Sequence, residues 1–155
     1  MGGGSCMVWA SFSLLGTSNI AFIDGRMNSN GYQALLEKHL IPYMARWPNI
    51  EFTFQQDNAP VHSSASTRNW LNDNNISVLD WPARSPDLNP IENLWGVLAR
   101  SVYAESRQFS SVNQLKDAIE HEWSKITQAQ LENLVNSMKN RLVEVLKNKG
   151  GITSY

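Results

Sequence analysis

The apolar positions of this chain fall first into two short runs, Met7-Val8-Trp9-Ala10-Ser11-Phe12 and Ile20-Ala21-Phe22-Ile23-Asp24. They read as two antiparallel strands joined through Gly16, with Gly25 ending the second. The pattern then changes to the helical period. Asn28 or Ser29 caps a predicted helix carrying Tyr32, Leu35, Leu36, His39 and Leu40, which Pro42 perturbs or ends. Phe52-Thr-Phe-Gln-Gln56 reads as a strand, a helix holding Arg68, Trp70 and Leu71 follows, and Ile76–Asp80 reads as another strand. From Pro90 the spacing is helical again, with Ile91, Leu94, Trp95 and Leu98 on one face. Two more helices close the chain. The first carries Leu115, Ala118, Ile119 and Trp123; the second opens on a capping box, Thr127-x-x-Gln130, and is stopped by Gly150-Gly151. Its stripe Leu131, Leu134, Val135, Met138, Leu142, Val145 and Leu146 reads as core in preference to a partner surface.

Composition adds limits to that picture. A chain of 155 residues with 42% hydrophobic content and six tryptophans can bury one sizeable core, so one domain is expected. Cys6 is the sole cysteine, which rules out an internal disulfide framework. No apolar run reaches the roughly 18 to 20 residues of a membrane helix, and a protein of cytosol or nucleus is expected. With 13 Lys+Arg against 14 Asp+Glu, the chain has no excess positive charge for a broad grip on phosphates. A local contact remains open through Lys139, Arg141, Lys147 and Lys149, a set that reads more readily as a solvated helix face.

The candidate chemistry lies in two carboxylates. Asp57 closes the strand-like run Glu51–Gln56 and enters the turn Asp57-Asn58-Ala59-Pro60; Glu92 lies in the first turn of the helix started by Pro90. Acids on two different rigid elements suit a hard divalent cation, since Mg²⁺ takes few oxygen ligands from protein and leaves room for water and phosphate. The bland alternatives are a turn former at Asp57 and a first-turn acid complementing the helix dipole at Glu92. No nucleotide-binding glycine loop, zinc-ligand cluster or nucleophile elbow is present.

At these residues the chain resembles a known family. Gln56–His62 and Trp81–Trp95 resemble the second and third catalytic blocks of mariner-type (Tc/mariner superfamily) cut-and-paste DNA transposases, which are DDE endonucleases, and the 34 intervening residues 58 through 91 match that family's spacing. Gly2–Trp9 and Phe22–Asn28 resemble strands of the same catalytic domain, so the resemblance runs from residue 2 to about residue 145. It implies an α/β fold, the ribonuclease-H-like mixed sheet with flanking helices and strand order 3-2-1-4-5. It also implies DNA strand cleavage and strand transfer, the chemistry of transposition and DNA integration. The cofactor would be two Mg²⁺ or Mn²⁺ ions, with Asp57 bridging or flanking the pair and Glu92 on the second.

The family's first aspartate lies on a strand upstream of the glycine-rich segment with which this chain begins. A single partial catalytic domain is therefore expected over 1–155, lacking the central first strand and the DNA-binding helix-turn-helix, with metal binding weakened or lost. The strands at Met7 and Phe52 are then expected either to pair directly in a four-stranded sheet or to leave a slot for a strand donated in trans. Asp24, at the end of its strand, reads as a turn former and not as a replacement acid. His62 reads as a cap of the next helix or a phosphate contact, and Arg84 as a loop residue or a contact to the DNA backbone. Asp87 reads as a turn or cap residue, and Trp81, Trp95 and Trp123 as core. Implied partners are double-stranded DNA, namely transposon ends and TA-containing targets, and a second copy of the chain; the implied site of action is the nucleus. The alternative is a co-opted, non-catalytic nucleic-acid-binding or protein-interaction module.

Overall fold

The structure, a computed structural model, describes residues 5–82 and 85–147. Arg84, Lys149 and Gly150-Gly151 lie outside the described residues.

The first element is a bent hairpin. β1 (Met7–Trp9) pairs antiparallel with β4 (Ala21–Ile23), Met7 opposite Ile23 and Trp9 opposite Ala21. Its outer half is β2 (Phe12–Ser13) against β3 (Gly16–Thr17), with Phe12 opposite Thr17. Between the two ladders the returning strand carries one extra residue, a bulge that bends the ribbon. Ser18 anchors the bend, its N–H donating to Ser11 O at 2.8 Å while its Oγ accepts from Ser11 N at 2.8 Å. Gly16 supplies the positive φ of the turn, +135°.

Alternation along β1 and β4 decides which layer each side chain joins. Trp9, Ala21 and Ile23 pack with Tyr32, Leu35, Leu36, Leu40, Leu71 and Ile76 on one face; Val8 and Phe22 pack with Leu94, Leu98, Leu115, Ile119, Trp123 and Leu131 on the other. The first face is covered by α1 (Ser29–Ala45) and α3 (Ala65–Asp73), the second by α4 (Pro90–Val102), α5 (Val112–Ser124) and α6 (Gln128–Lys147). Asn28 caps α1, its Oδ1 accepting from Gly31 N at 2.7 Å. Pro42 does not stop α1, which runs on to Ala45. So close to the end, its missing N–H removes a single intrahelical bond.

β5 (Thr53–Phe54) pairs in parallel with β6 (Ser77–Val78). A parallel pair needs a crossover, here α2 (Pro60–Ser63) followed by α3. Asn75 ends α3 in the left-handed region, φ +56°, which lets Ile76 N reach back to Leu71 O at 2.9 Å while both apolar side chains stay buried. The chain thus leaves the helix aimed into β6.

β1 and β5 form no ladder with each other: the described residues give three two-stranded ladders. Direct closure into a four-stranded sheet, one of the two expected outcomes, does not occur. Trp9 and Phe54 instead meet in the same apolar cluster beneath α1, so helix packing and not strand pairing holds the two ladders in one layer. Among the described residues the second edges of β1 and β5 have no strand partner.

The α6 capping box forms as expected, Thr127 N donating to Gln130 Oε1 at 2.8 Å and Gln130 N to Thr127 Oγ1 at 3.2 Å. Its apolar stripe is core only at first. Leu131 is buried, whereas Leu142 and Leu146 are 51% and 79% exposed. A 20-residue helix outruns the 13-residue helices α4 and α5 against which it begins.

Candidate functional site

Asp57 stands just past β5, where the strand gives way to the Asn58-Ala59-Pro60 turn. Its Oδ1 accepts from Ala59 N at 3.0 Å, an Asx turn that directs Pro60 into the first position of α2. The same oxygen pairs with His62 Nδ1. The His62 ring lies against Tyr32, centroids 4.1 Å apart and planes tilted by 30°. Tyr32, buried in α1, donates its hydroxyl to Gln56 Oε1 at 2.6 Å, and Gln56 Nε2 donates to His62 O at 3.1 Å. A circuit of Tyr32, Gln56 and His62, closed through the His62 carbonyl, therefore fixes the turn that presents Asp57.

Glu92 comes from a different element, α4. The 3-10 turn Pro86–Leu88 leads to Asn89, which caps α4 by accepting from Ile91 N at 3.3 Å, and Glu92 follows in the opening turn. Pro90 at the first helical position has no N–H to leave unpaired. Burial pushes the Glu92 carboxyl above its ordinary range, and the negative charge of Asp57 adds to the effect. The hydrogen bond from His62 holds Asp57 below its ordinary range; burial opposes this, and the Ala59 amide assists it. Burial, followed by the Asp57 charge, also raises the Tyr32 hydroxyl. The two acids thus shift in opposite directions, and the charge of Asp57 is felt at Glu92.

An open groove of about 860 Å³ borders the Asp57 side, lined by Asn58, His62, Arg68, Asn72 and Trp81 among others. Two carboxylates and a histidine with hydrogen-bonding groups alongside can bind a cation and an anionic ligand together. Among the described residues no group of three or more His, Cys, Asp or Glu is placed to hold a metal. The donor set is thus a pair of hard oxygen ligands, a number that Mg²⁺ accepts when phosphate and water complete its shell.

Residues 2–116 match the family described as DDE superfamily endonuclease. The chain belongs to that family. The Tc3 transposase of Caenorhabditis elegans is 46% identical to it over 154 residues, and the Tcb2 transposase of Caenorhabditis briggsae is 36% identical. Those alignments cover 99% of this chain but 47% and 56% of the two transposases, so the chain spans about half the length of the curated relatives it matches. The catalytic domain of Mos1 mariner transposase superposes with a TM-score of 0.86 at 21% identity, covering 96% of this chain and 76% of that domain. The fold is therefore the ribonuclease-H-like one. Mos1 itself has been solved with raltegravir and Mg, and as a paired-end complex with the left transposon end.

Within this DDE endonuclease framework several expectations need correction. His62 does not cap α3; Ser64 does, its Oγ accepting from Thr67 N at 3.2 Å. A histidine two residues nearer the Asx turn is drawn to the carboxylate instead. Arg141 is not part of a surface stripe with Lys139 and Lys147, since it is 1% exposed while both lysines are exposed. Trp123 is core, but Trp81 is half-buried beside the site and donates Nε1 to Gln56 O at 2.8 Å. Asp24 is almost fully exposed and lies 3.8 Å from Lys116 Nζ, consistent with a turn residue. Asp87 lies in the 3-10 turn, as expected. Tyr32, Gln55 and Gln56 were not legible as site residues, because their contacts lie 24 and 33 positions away.

Proposed function

We propose that this chain is the part of a cut-and-paste DNA transposase catalytic domain that carries the second and third acids, Asp57 and Glu92, of a divalent-metal site acting on DNA phosphodiesters. The observation that carries the reading is the placing of these two acids, one just past β5 and one in the first turn of α4, within the residues 2–116 that match the DDE endonuclease family. Mg²⁺ or Mn²⁺ bound there would supply Lewis acidity and a water or 3′-hydroxyl activated for in-line attack. The chain's own contribution is to hold Asp57 ionised and oriented through His62 and Ala59, and to deliver Glu92 on a rigid helix. His62 and Arg84 would contact the phosphate backbone of double-stranded transposon ends and TA-containing targets. Action on such DNA would take place in the nucleus, and a second copy of the chain would be a further partner.

Two acids make an incomplete DDE set; in this reading the first aspartate would be supplied by a further strand seated between β1 and β5 or by a strand in trans. The test is cleavage of end-labelled duplex DNA in Mg²⁺ or Mn²⁺ by residues 1–155, alone and joined to an upstream segment bearing the family's first aspartate. The chain alone is expected to be inactive. The extended chain is expected to cut and to lose about 10³-fold or more in rate on Asp57→Asn or Glu92→Gln, the several kcal/mol that metal stabilisation of the transition state supplies. Cleavage by the chain alone that disappears in Asp24→Ala would make Asp24 the replacement acid; no cleavage by either form would favour a non-catalytic module.

A further inference from the structure

The turn that precedes the Glu92 helix is held at two successive carbonyls by side chains from elements remote in sequence. Gln55, on the strand segment that ends in Asp57, donates Nε2 to Leu88 O at 2.9 Å. Arg141, buried on α6, donates Nη1 to Asp87 O at 3.0 Å. Arg141 is itself fixed: its Nε donates to Ser137 Oγ at 2.8 Å, and Ser137 Oγ donates to Leu134 O at 2.6 Å, back along the same helix. Within the turn, Leu88 N bonds Ser85 O and Asn89 N bonds Pro86 O, each at 3.0 Å, so the segment is short and closed. Anything that fixes the Asp87 and Leu88 carbonyls therefore fixes Asn89, the cap, and with it Glu92 one turn on.

We propose that Gln55 and Arg141 form a two-sided clamp on the 86–88 turn that sets the separation of Asp57 and Glu92, making both positioning residues of the site. The inference rests on the reading of Asp57 and Glu92 as the metal pair. Gln55 ties the two acids together, since the strand bearing one holds the turn leading to the other. Arg141 supplies the opposing anchor from a helix that lies beyond residues 2–116, the part matched to the endonuclease family. A guanidinium suits the task because its charge stays on at any working pH and its donors lie in a rigid plane. Burying that charge is costly unless it is well satisfied. Two of its donors are directed to fixed acceptors, Ser137 Oγ and Asp87 O, which ties the turn to α6 in a defined geometry. That geometry matters chemically: a misplacement of about 1 Å at a reacting centre costs on the order of 10²-fold in rate.

The test uses the whole chain in a Cys6→Ser background with spin labels at two exposed positions, 58 beside Asp57 and 99 on the Glu92 helix. Electron paramagnetic resonance then gives the distribution of distances between them without any metal. Arg141→Met and Gln55→Met are each expected to broaden and shift it. Arg141→Lys, which keeps one donor for Asp87 O, is expected to restore most of the narrow distribution. Leu115→Ala, a core change on α5, is the control for destabilisation alone and is expected to leave the distance unchanged below its melting temperature. A wild-type distribution in both Arg141→Met and Gln55→Met, or equal broadening in Leu115→Ala, overturns the clamp. Mn²⁺ titration of the same variants joined to the upstream segment that bears the first aspartate is expected to show about 10-fold weaker binding in the two Met variants, in line with the 10–100-fold effect of residues that orient metal ligands. Unchanged Mn²⁺ affinity in Asp57→Asn and Glu92→Gln would sink the metal site while the distance measurement still decides the clamp.

Discussion

Asp57 and Glu92 are built into the molecule in opposite ways. The Asp57 carboxylate is held by Ala59 and His62, within five residues of it in sequence. Among the described residues Glu92 has no such local hold; its helix is placed by Gln55, Asn89 and Arg141, and its apolar face is sunk in the cluster that joins α4, α5 and α6. The Asp57 carboxylate thus takes its own hydrogen bonds within its turn, while the position of Glu92 depends on how its helix is packed. The difference teaches that the two should respond differently to damage: changes around Glu92 should register in global stability, and changes around Asp57 should register mainly in its own ionisation.

The widest gap should appear with Leu94→Ala. Leu94 is fully buried, two positions along the helix from Glu92, and its loss should cost about 2–5 kcal/mol in urea denaturation. His62→Ala on the Asp57 side should cost less than about 1 kcal/mol, because its pair with Asp57 is partly exposed and screened. Equal losses would erase the distinction. Asn89→Ala should fall between them at about 1 kcal/mol, the usual value of a side-chain helix cap.

The pH dependence of His62→Ala sharpens the local half of the comparison. His62 and Ala59 lower the folded pKa of Asp57 below its ordinary value of 3.8. A depressed carboxyl contributes stability that is present above the unfolded pKa and is lost as pH falls through the folded one. The deficit of His62→Ala relative to the parent should therefore be fully present at about pH 5 to 6 and shrink below about pH 4. Denaturation curves between about pH 3 and 6 read this directly; a deficit that grows on acidification would refute it.

The same contrast explains what could be read from the residues alone. The Asx turn at Asp57, the proline-started helix at Glu92 and the Thr127–Gln130 box are local devices, in which the residues that signal an element are the residues that make it. The hairpin bulge at Ser11 and Ser18, the burial of Arg141 and the tie from Gln55 to Leu88 were not legible. Each depends on which distant segment arrives opposite, and a lone arginine in a helix carries the pattern of a solvated charge until its neighbours are known. The separation of the β1 and β5 ladders follows the same rule. Strand-like runs were visible, but whether two of them meet is decided by the helices packed across them.

The smallest expected effect is the most diagnostic of a site. Burial and the charge of Asp57 raise the folded pKa of Glu92 above its ordinary value of 4.5, so the ionised form is disfavoured by the fold. A carboxyl raised in this way contributes stability that is present below its unfolded pKa and is lost as pH rises through the folded one. Glu92→Gln, which cannot ionise, should therefore gain relative to the parent as pH rises from about 4 to 7, by no more than about 0.5 kcal/mol given the exposure of the side chain. A counter-force exists, because a negative charge in the first turn of a helix is favourable by about 0.3–1 kcal/mol. Burial and Asp57 act against it, and the expected gain has them outweigh it; a Glu92→Gln variant that loses ground over the same pH range would reverse that ordering. In the chain joined to the segment that bears the first aspartate, adding Mn²⁺ at about pH 7 should then invert the ranking, since a ligand that binds only the folded parent raises its stability by mass action and leaves Glu92→Gln behind. Inversion on adding metal would mark Glu92 as a group whose charge costs the apo fold and is relieved by a cation, whereas a ranking indifferent to Mn²⁺ would leave it a first-turn acid and nothing more.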